Sequence, residues 1–254
     1  MNYEEDYFNN LVLDDMQKKI SDFYNLDFSK MSDDEIRKAY FNCILPQNHN
    51  IYNTSVFEIE VPVNEFLYRI RKDIASLDMI KSTSDFWCNP HQKVNRLNTD
   101  NEQILYTSTR LSTAIKETGI EIGEKFLIIK YRVTKPLILI PIQVENRYES
   151  EIEDENYKKA KIINDFINNL MCLTKDKFNE VYRITNSIKR IPPFTNLSTR
   201  EMDGWLYVSA QDKEMTNIAL IFPKVKEKME VSTTQIVRKV SEEEIQVLSD
   251  KKCL

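Results

Sequence analysis

Only three of the 254 residues are glycine, where about 7% is usual. Phosphate-cradling loops of the Rossmann and Walker types need several glycines at fixed spacing, and neither pattern occurs in this chain. Any phosphate it binds must therefore be held by side chains or isolated amides.

The length suits one large domain, or one domain with an extension. A net charge of −5 argues against an extended nucleic-acid surface, though a small cationic pocket remains open. Cys43, Cys88, Cys172 and Cys253 show no C-x-x-C spacing, and His49 and His91 complete no ligand set. The expectation is no metal site and unpaired thiols in a reducing compartment. No basic segment followed by an apolar one opens the chain, and no run approaches the ~20 apolar residues of a membrane helix. The chain is expected to be cytoplasmic, off the membrane and without direct nucleic-acid contact.

Residues 1–50 read as a helical extension. Phe8, Leu11, Val12, Met16, Ile20 and Phe23 recur at helical spacing. A second helix starts at Ser32, with Glu35 placed for a capping box, and stops before Pro46. These helices read first as a cover for one edge of the core; the other reading is a lid or partner surface. From Val56 the period changes to two, as in a half-buried strand, and Phe66–Arg71 continues the β pattern. Arg69 and Arg71 would share one strand face. Residues 73–103 form a long polar loop containing Trp87, Asn89, Pro90 and His91.

A strand over 104–107 follows, then a short helix over 112–116 closed by Gly119. Ala114 and Glu117, three apart and the latter near the helix end, share a helix face, the small residue letting it lie close to its neighbours. Phe126–Tyr131 and Val133–Ile142 are nearly continuous in apolar residues, as in buried sheet. Residues 145–155 are acidic and expected to be exposed. Amphipathic helices follow over 157–174 and 181–191, the latter stopped by Pro192-Pro193. Two strands, Asp203–Ala210 and Asn217–Pro223, are joined by a turn that brings Ser209 near Asn217. Residues 226–254 form a tail with one strand, Thr234–Val240, packing on or extending the core. The fold class is α+β: a β-sheet core over 51–225 with flanking helices.

The chemistry centres on Arg96, Tyr106 and Glu117, drawn from a loop, a strand and a helix. A cation, an aromatic face and a carboxylate suit a ligand with phosphates, a flat ring and a ribose. Arg96 can fork across pyrophosphate oxygens. Tyr106 offers a ring or a hydroxyl. Each type alone is commonly structural, an Arg–Glu pair as a surface ion pair and a strand tyrosine as packing.

The motifs Asn95-Arg96-Leu97-Asn98, Tyr106-Thr107-Ser108, Ala114-Ile115-Lys116-Glu117, Asp203-Gly204-Trp205-Leu206-Tyr207-Val208-Ser209 and Asn217 with Leu220-Ile221-Phe222 occur in that order. In this order and register the chain resembles the RES domain family over roughly residues 60–225. The glycine pair before the arginine is absent, and Leu97 stands where the family has an aromatic. The resemblance implies an ADP-ribosyltransferase-like fold. It implies a toxin that destroys NAD⁺ by cleaving the nicotinamide–ribose bond, as a glycohydrolase or phosphorylase, with NAD⁺ as substrate and no cofactor. It also implies a cognate antitoxin as partner, and the chain leaves room for a homo-oligomer.

On this reading Glu117, Arg96, Tyr106 and Ser209 are catalytic. Arg96, Tyr106, Asn98, Asn217 and Arg69 contact substrate. Nicotinamide leaves as a neutral molecule, so an anion beside the ribose is more useful than an acid; Glu117 supplies it, and Ser209 and Asn217 orient it. Two other readings stand beside this one: transfer of ADP-ribose to a macromolecule, and a non-catalytic module binding a nucleotide or partner.

Overall fold

The computed structural model describes residues 9–45, 58–88, 92–100, 102–142, 155–174, 178–189 and 201–252. Among them are five α-helices: α1 (Leu13–Tyr24), α2 (Asp33–Ile44), α3 (Leu111–Thr118), α4 (Glu155–Cys172) and α5 (Val181–Lys189). Nine strands form one sheet: β1 (Ile59–Val61), β2 (Phe66–Arg71), β3 (Ile104–Ser108), β4 (Lys125–Val133), β5 (Leu137–Pro141), β6 (Gly204–Val208), β7 (Thr216–Ile221), β8 (Met229–Lys239) and β9 (Ile245–Lys252). The protein is α+β. Two compact units are distinguished. The first holds Met1–Glu58, Val94–Leu97 and Ile140–Glu201; the second holds Ile59–Lys93, Asn98–Leu139 and Met202–Leu254.

The first unit is helical. Ser32 and Glu35 form the expected capping box: the Ser32 hydroxyl accepts from the Glu35 amide, and the Ser32 amide donates to Glu35 Oε2 at 2.7 Å. Val12 does not belong to the apolar stripe; it lies extended before α1 and is 63% exposed. Phe8, Pro46, His49, His91, Cys253, residues 145–154 and Pro192-Pro193 lie outside the described residues. The N-terminal helices build a core with α4 and α5. Phe166 of α4 meets Phe23 edge-on at 5.2 Å and stacks on Tyr40 at 5.9 Å. Arg183 of α5 donates to Asp33 Oδ1 (2.9 Å), to the Phe28 carbonyl (3.0 Å) and to the Met31 carbonyl.

The second unit is built on the sheet, whose order is β1-β5-β6-β7-β3-β2-β4-β8-β9. β1 with β5, and every successive pair from β6 to β9 in that order, are antiparallel. The expected tail strand is two strands: β8 pairs with β4, and β9 pairs with β8 at the edge. The apolar run over 126–142 divides at residues 134–136 into β4 and β5.

Register fixes the two faces, because side chains alternate along a strand. Tyr68 lies opposite Ser108, Ser108 opposite Asn217, and Asn217 opposite Tyr207. These four share one face. The other face carries Leu67, Leu105, Leu127, Ile129, Tyr131, Ile218, Leu220 and Ile236, all buried. Phe86, Trp87 and Cys88 join that cluster, with Trp87 stacked on Phe222 at 6.0 Å and tilted against Tyr131 at 5.3 Å. The first half of the long polar stretch is therefore part of the core, because its aromatics outweigh its polar composition. Cys43 and Cys88 are free buried thiols; burial pushes them up to about 12 and about 11 respectively.

β6 approaches β7 most closely at Gly204. A Cβ there would stand 2.2 Å from the Ala219 carbonyl oxygen and 3.0 Å from Leu220 Cα. Both are backbone atoms, which cannot turn aside. Gly204→Ala is therefore expected to cost about 2 kcal/mol or more through overpacking. Urea denaturation checks this; an unchanged midpoint would contradict the close approach.

Candidate functional site

α3 lies on the sheet face that carries Tyr68 and Ile70. Ala114 is buried there against Ile70, Phe126 and Ile128. The helix ends at Gly119, in the left-handed region at φ 58°, where a residue without Cβ is at ease. The small Ala114 seats the helix closely, and Glu117, one turn on, projects toward the end of β6 and the start of β7. Glu117 is half-buried.

One oxygen of the Glu117 carboxylate is held firmly. Its Oε1 accepts from Asn217 Nδ2 at 2.9 Å and from the Ser209 hydroxyl, with the Gln211 amide at 3.5 Å. Its Oε2 makes no hydrogen bond among the described residues. Ser209 is fully buried and its hydrogen-bonding capacity is accounted for. The hydroxyl oxygen accepts from the amides of Gln211 (3.3 Å) and Asp212 (3.1 Å), and its proton goes to Glu117. A hydroxyl has one proton and two lone pairs, so Ser209 acts as a brace rather than a nucleophile. Lys116 and Asp212 pair at 3.0 Å, tying α3 to the same turn.

Tyr106 lies on the same sheet face, two residues from Ser108 and so diagonal to Asn217, roughly 7–8 Å away by strand geometry. It is half-buried, and its hydroxyl donates to Asn98 Oδ1 at 2.9 Å. Asn98 is fully buried, and its amide nitrogen donates to the Lys93 carbonyl (2.9 Å) and the Thr99 carbonyl (3.2 Å). Its amide thus works inside the protein, shaping the loop and holding the tyrosine.

Arg96 stands in the first unit, in Val94–Leu97. It is 8% exposed, and its Nη1 is buried with no hydrogen-bond partner. Arg69 is placed differently from expectation. It faces away from Tyr68 and Ser108, on the core side, where Nη1 donates to the carbonyls of Phe86 and Trp87. Arg71, on the same face as expected, binds Asp73 (2.6 and 2.8 Å) and the Asp85 carbonyl (2.8 Å). Both arginines anchor the 82–88 segment to the sheet. The sequence placed them on one face correctly but could not say which face met the carboxylate.

The structure therefore gathers Glu117, Ser209 and Asn217, joins Tyr106 to Asn98, sets Arg96 in another unit and turns Arg69 to the opposite side of the sheet. Two aromatics not singled out from the sequence share the Glu117 face. Trp205 pairs with Ala219, which pairs with Tyr106, so a small residue lies between two rings; Tyr207 pairs with Asn217. The signal was present: Trp205, Tyr207 and Ser209 alternate with period two. Asp203 of the same motif is structural. It is fully buried, and its Oδ2 accepts from the Ile138 amide (2.8 Å) and Lys228 Nζ (2.7 Å). No group of His, Cys, Asp and Glu able to hold a metal is found among the described residues. The chain matches no protein-family model and no curated protein sequence.

Ser209→Ala releases two amides and one donor to Glu117, and is expected to cost about 2 kcal/mol, read as a lowered denaturation midpoint. Arg69→Met is expected to destabilise by a similar amount, about 2 kcal/mol, because two carbonyls lose a charged donor. A proper test of its placement is ligand binding by the folded Arg69→Met protein, which should match the parent. A selective loss of binding would return Arg69 to the site.

Proposed function

We propose that the protein cleaves the nicotinamide–ribose bond of NAD⁺, with water or phosphate as acceptor. One observation carries the reading: Glu117 presents a carboxylate fixed through one oxygen by Ser209 and Asn217, with its second oxygen unengaged among the described residues. A preorganised anion is what an oxocarbenium-like transition state requires. It needs no reorientation as positive charge develops on the ribose. The resemblance of the five ordered motifs to the RES family points the same way, as does the α+β architecture, and with it an ADP-ribosyltransferase-like fold is part of the proposal.

In this reading the free Glu117 oxygen accepts a hydrogen bond from a ribose hydroxyl and stabilises the cation formed as nicotinamide departs. The acceptor then adds to the anomeric carbon; with water, the products are ADP-ribose, nicotinamide and a proton. The ring of Tyr106 packs on a flat portion of the substrate. Arg96 takes phosphate oxygens. Ser209 and Asn217 hold Glu117 and do not touch the reacting atoms. Asn98 acts through Tyr106. A toxin acting in the cytoplasm, with a neutralising protein partner, fits an activity that depletes NAD⁺. No helix among the described residues is long and apolar enough to cross a membrane.

The test is NAD⁺ loss, with products identified by mass, for the parent protein and for Glu117→Gln, with and without phosphate. Glu117→Gln keeps the shape and removes the charge. It is expected to lower kcat by at least 10²-fold, the scale for losing one preorganised electrostatic group, with little change in KM. Unchanged NAD⁺ at high concentration of folded parent protein would refute the proposal. Label from NAD⁺ appearing on a macromolecule would replace it with a transferase.

A further inference from the structure

Arg96 Nη1 is buried with no hydrogen-bond partner among the described residues, and the backbone beneath it is held by several side chains. The side chains of α5 grip three successive carbonyls of the Arg96 segment. Asn186 Nδ2 donates to the Asn95 carbonyl at 2.8 Å. Thr185 Oγ1 donates to the Arg96 carbonyl at 2.6 Å. Lys189 Nζ donates to the Leu97 carbonyl at 2.6 Å. All three side chains are buried, at 5%, 0% and 2% exposure respectively. Thr185 and Lys189 are four apart and so stand on one helix face, with Asn186 beside them. At the same turn the Arg96 amide donates to Asn95 Oδ1 at 2.8 Å, and the Leu97 side chain is fully buried.

The arrangement uses polar side chains where an apolar helix face would suffice for packing. Lys189 brings a second positive charge to the segment, although burying an ammonium is costly. What the grip fixes is Arg96. The residue is more than nine-tenths buried, no carboxylate pairs with it among the described residues, and its buried Nη1 has no acceptor there. Buried donors are nearly always satisfied, and a guanidinium matches the oxygens of a phosphate in a fork geometry. An anion would complete the group.

We infer that α5 is a positioning element for Arg96: Thr185, Asn186 and Lys189 fix the backbone from which the buried guanidinium receives a phosphate or diphosphate group of the ligand. This rests on the proposed role of Arg96 but not on the chemistry assigned to Glu117. Thr185, Asn186 and Lys189 are not catalytic; they act through Arg96.

The probe is inorganic pyrophosphate, titrated calorimetrically into the full-length protein at low salt. The parent is expected to bind and Arg96→Ala to show no measurable binding. The charge-neutral changes Thr185→Val and Asn186→Leu are expected to weaken binding about tenfold each. Thr185→Ser, which keeps the hydroxyl, is expected to bind as the parent does. Circular dichroism establishes that each variant is folded before titration. A purely structural hydroxyl would not give loss in Val and recovery in Ser at equal helicity. Parent-like binding by folded Thr185→Val and Asn186→Leu, or equal loss in the Ser and Val variants, would overturn the positioning role. Failure of the parent to bind, or binding retained in Arg96→Ala, would overturn the anion site. A parent that binds pyrophosphate through Arg96 yet leaves NAD⁺ intact would refute the NAD⁺ reading alone.

Discussion

β7 is the strand on which the sheet unit depends. It pairs with β3 on one side and β6 on the other, and its register sets Ser108, Asn217 and Tyr207 in one row and Tyr106, Ala219 and Trp205 in the next. A slip of one residue on either side would send Tyr106 or Asn217 to the core face. Two features hold β6 in place. Gly204 permits an approach that no side chain would allow, and Asp203 binds the Ile138 amide and Lys228 beside it. The Asp-Gly pair is thus scaffold, and Trp205 and Tyr207 after it alternate onto the face that carries Asn217.

Accounting for each polar atom separates braces from groups that remain available. Ser209 uses its proton and both lone pairs. Asn98 uses its amide nitrogen on two carbonyls and its oxygen on Tyr106. Arg69 binds two carbonyls under the sheet. By contrast, one oxygen of Glu117 and one nitrogen of Arg96 have no partner among the described residues. Each stands on a backbone fixed by neighbouring hydrogen bonds, Glu117 on α3 of the second unit and Arg96 in the first.

Much was legible in the chain because the signals are local. The capping box at Ser32 and Glu35, the left-handed Gly119 and the burial of Ala114 follow from spacing and from what one residue type can adopt. The nearness of Ser209 to Asn217 followed from reading two strands with a turn between them. The core role of Phe86 and Trp87 was hidden, since polar neighbours masked aromatics that pack only after distant strands meet.

The sequence by itself determined the α+β class, most helix and strand positions, and which alternating residues share a strand face, because periodicity and capping act within a few residues. Tertiary structure alone decided which face each strand turns to the carboxylate, and so sent Arg69 to the core. It alone placed Thr185, Asn186 and Lys189 on the carbonyls of Asn95, Arg96 and Leu97, some ninety residues earlier in the chain. The physical reason is that register and side-chain-to-carbonyl bonds over such separations depend on how whole elements pack, and no local preference encodes that.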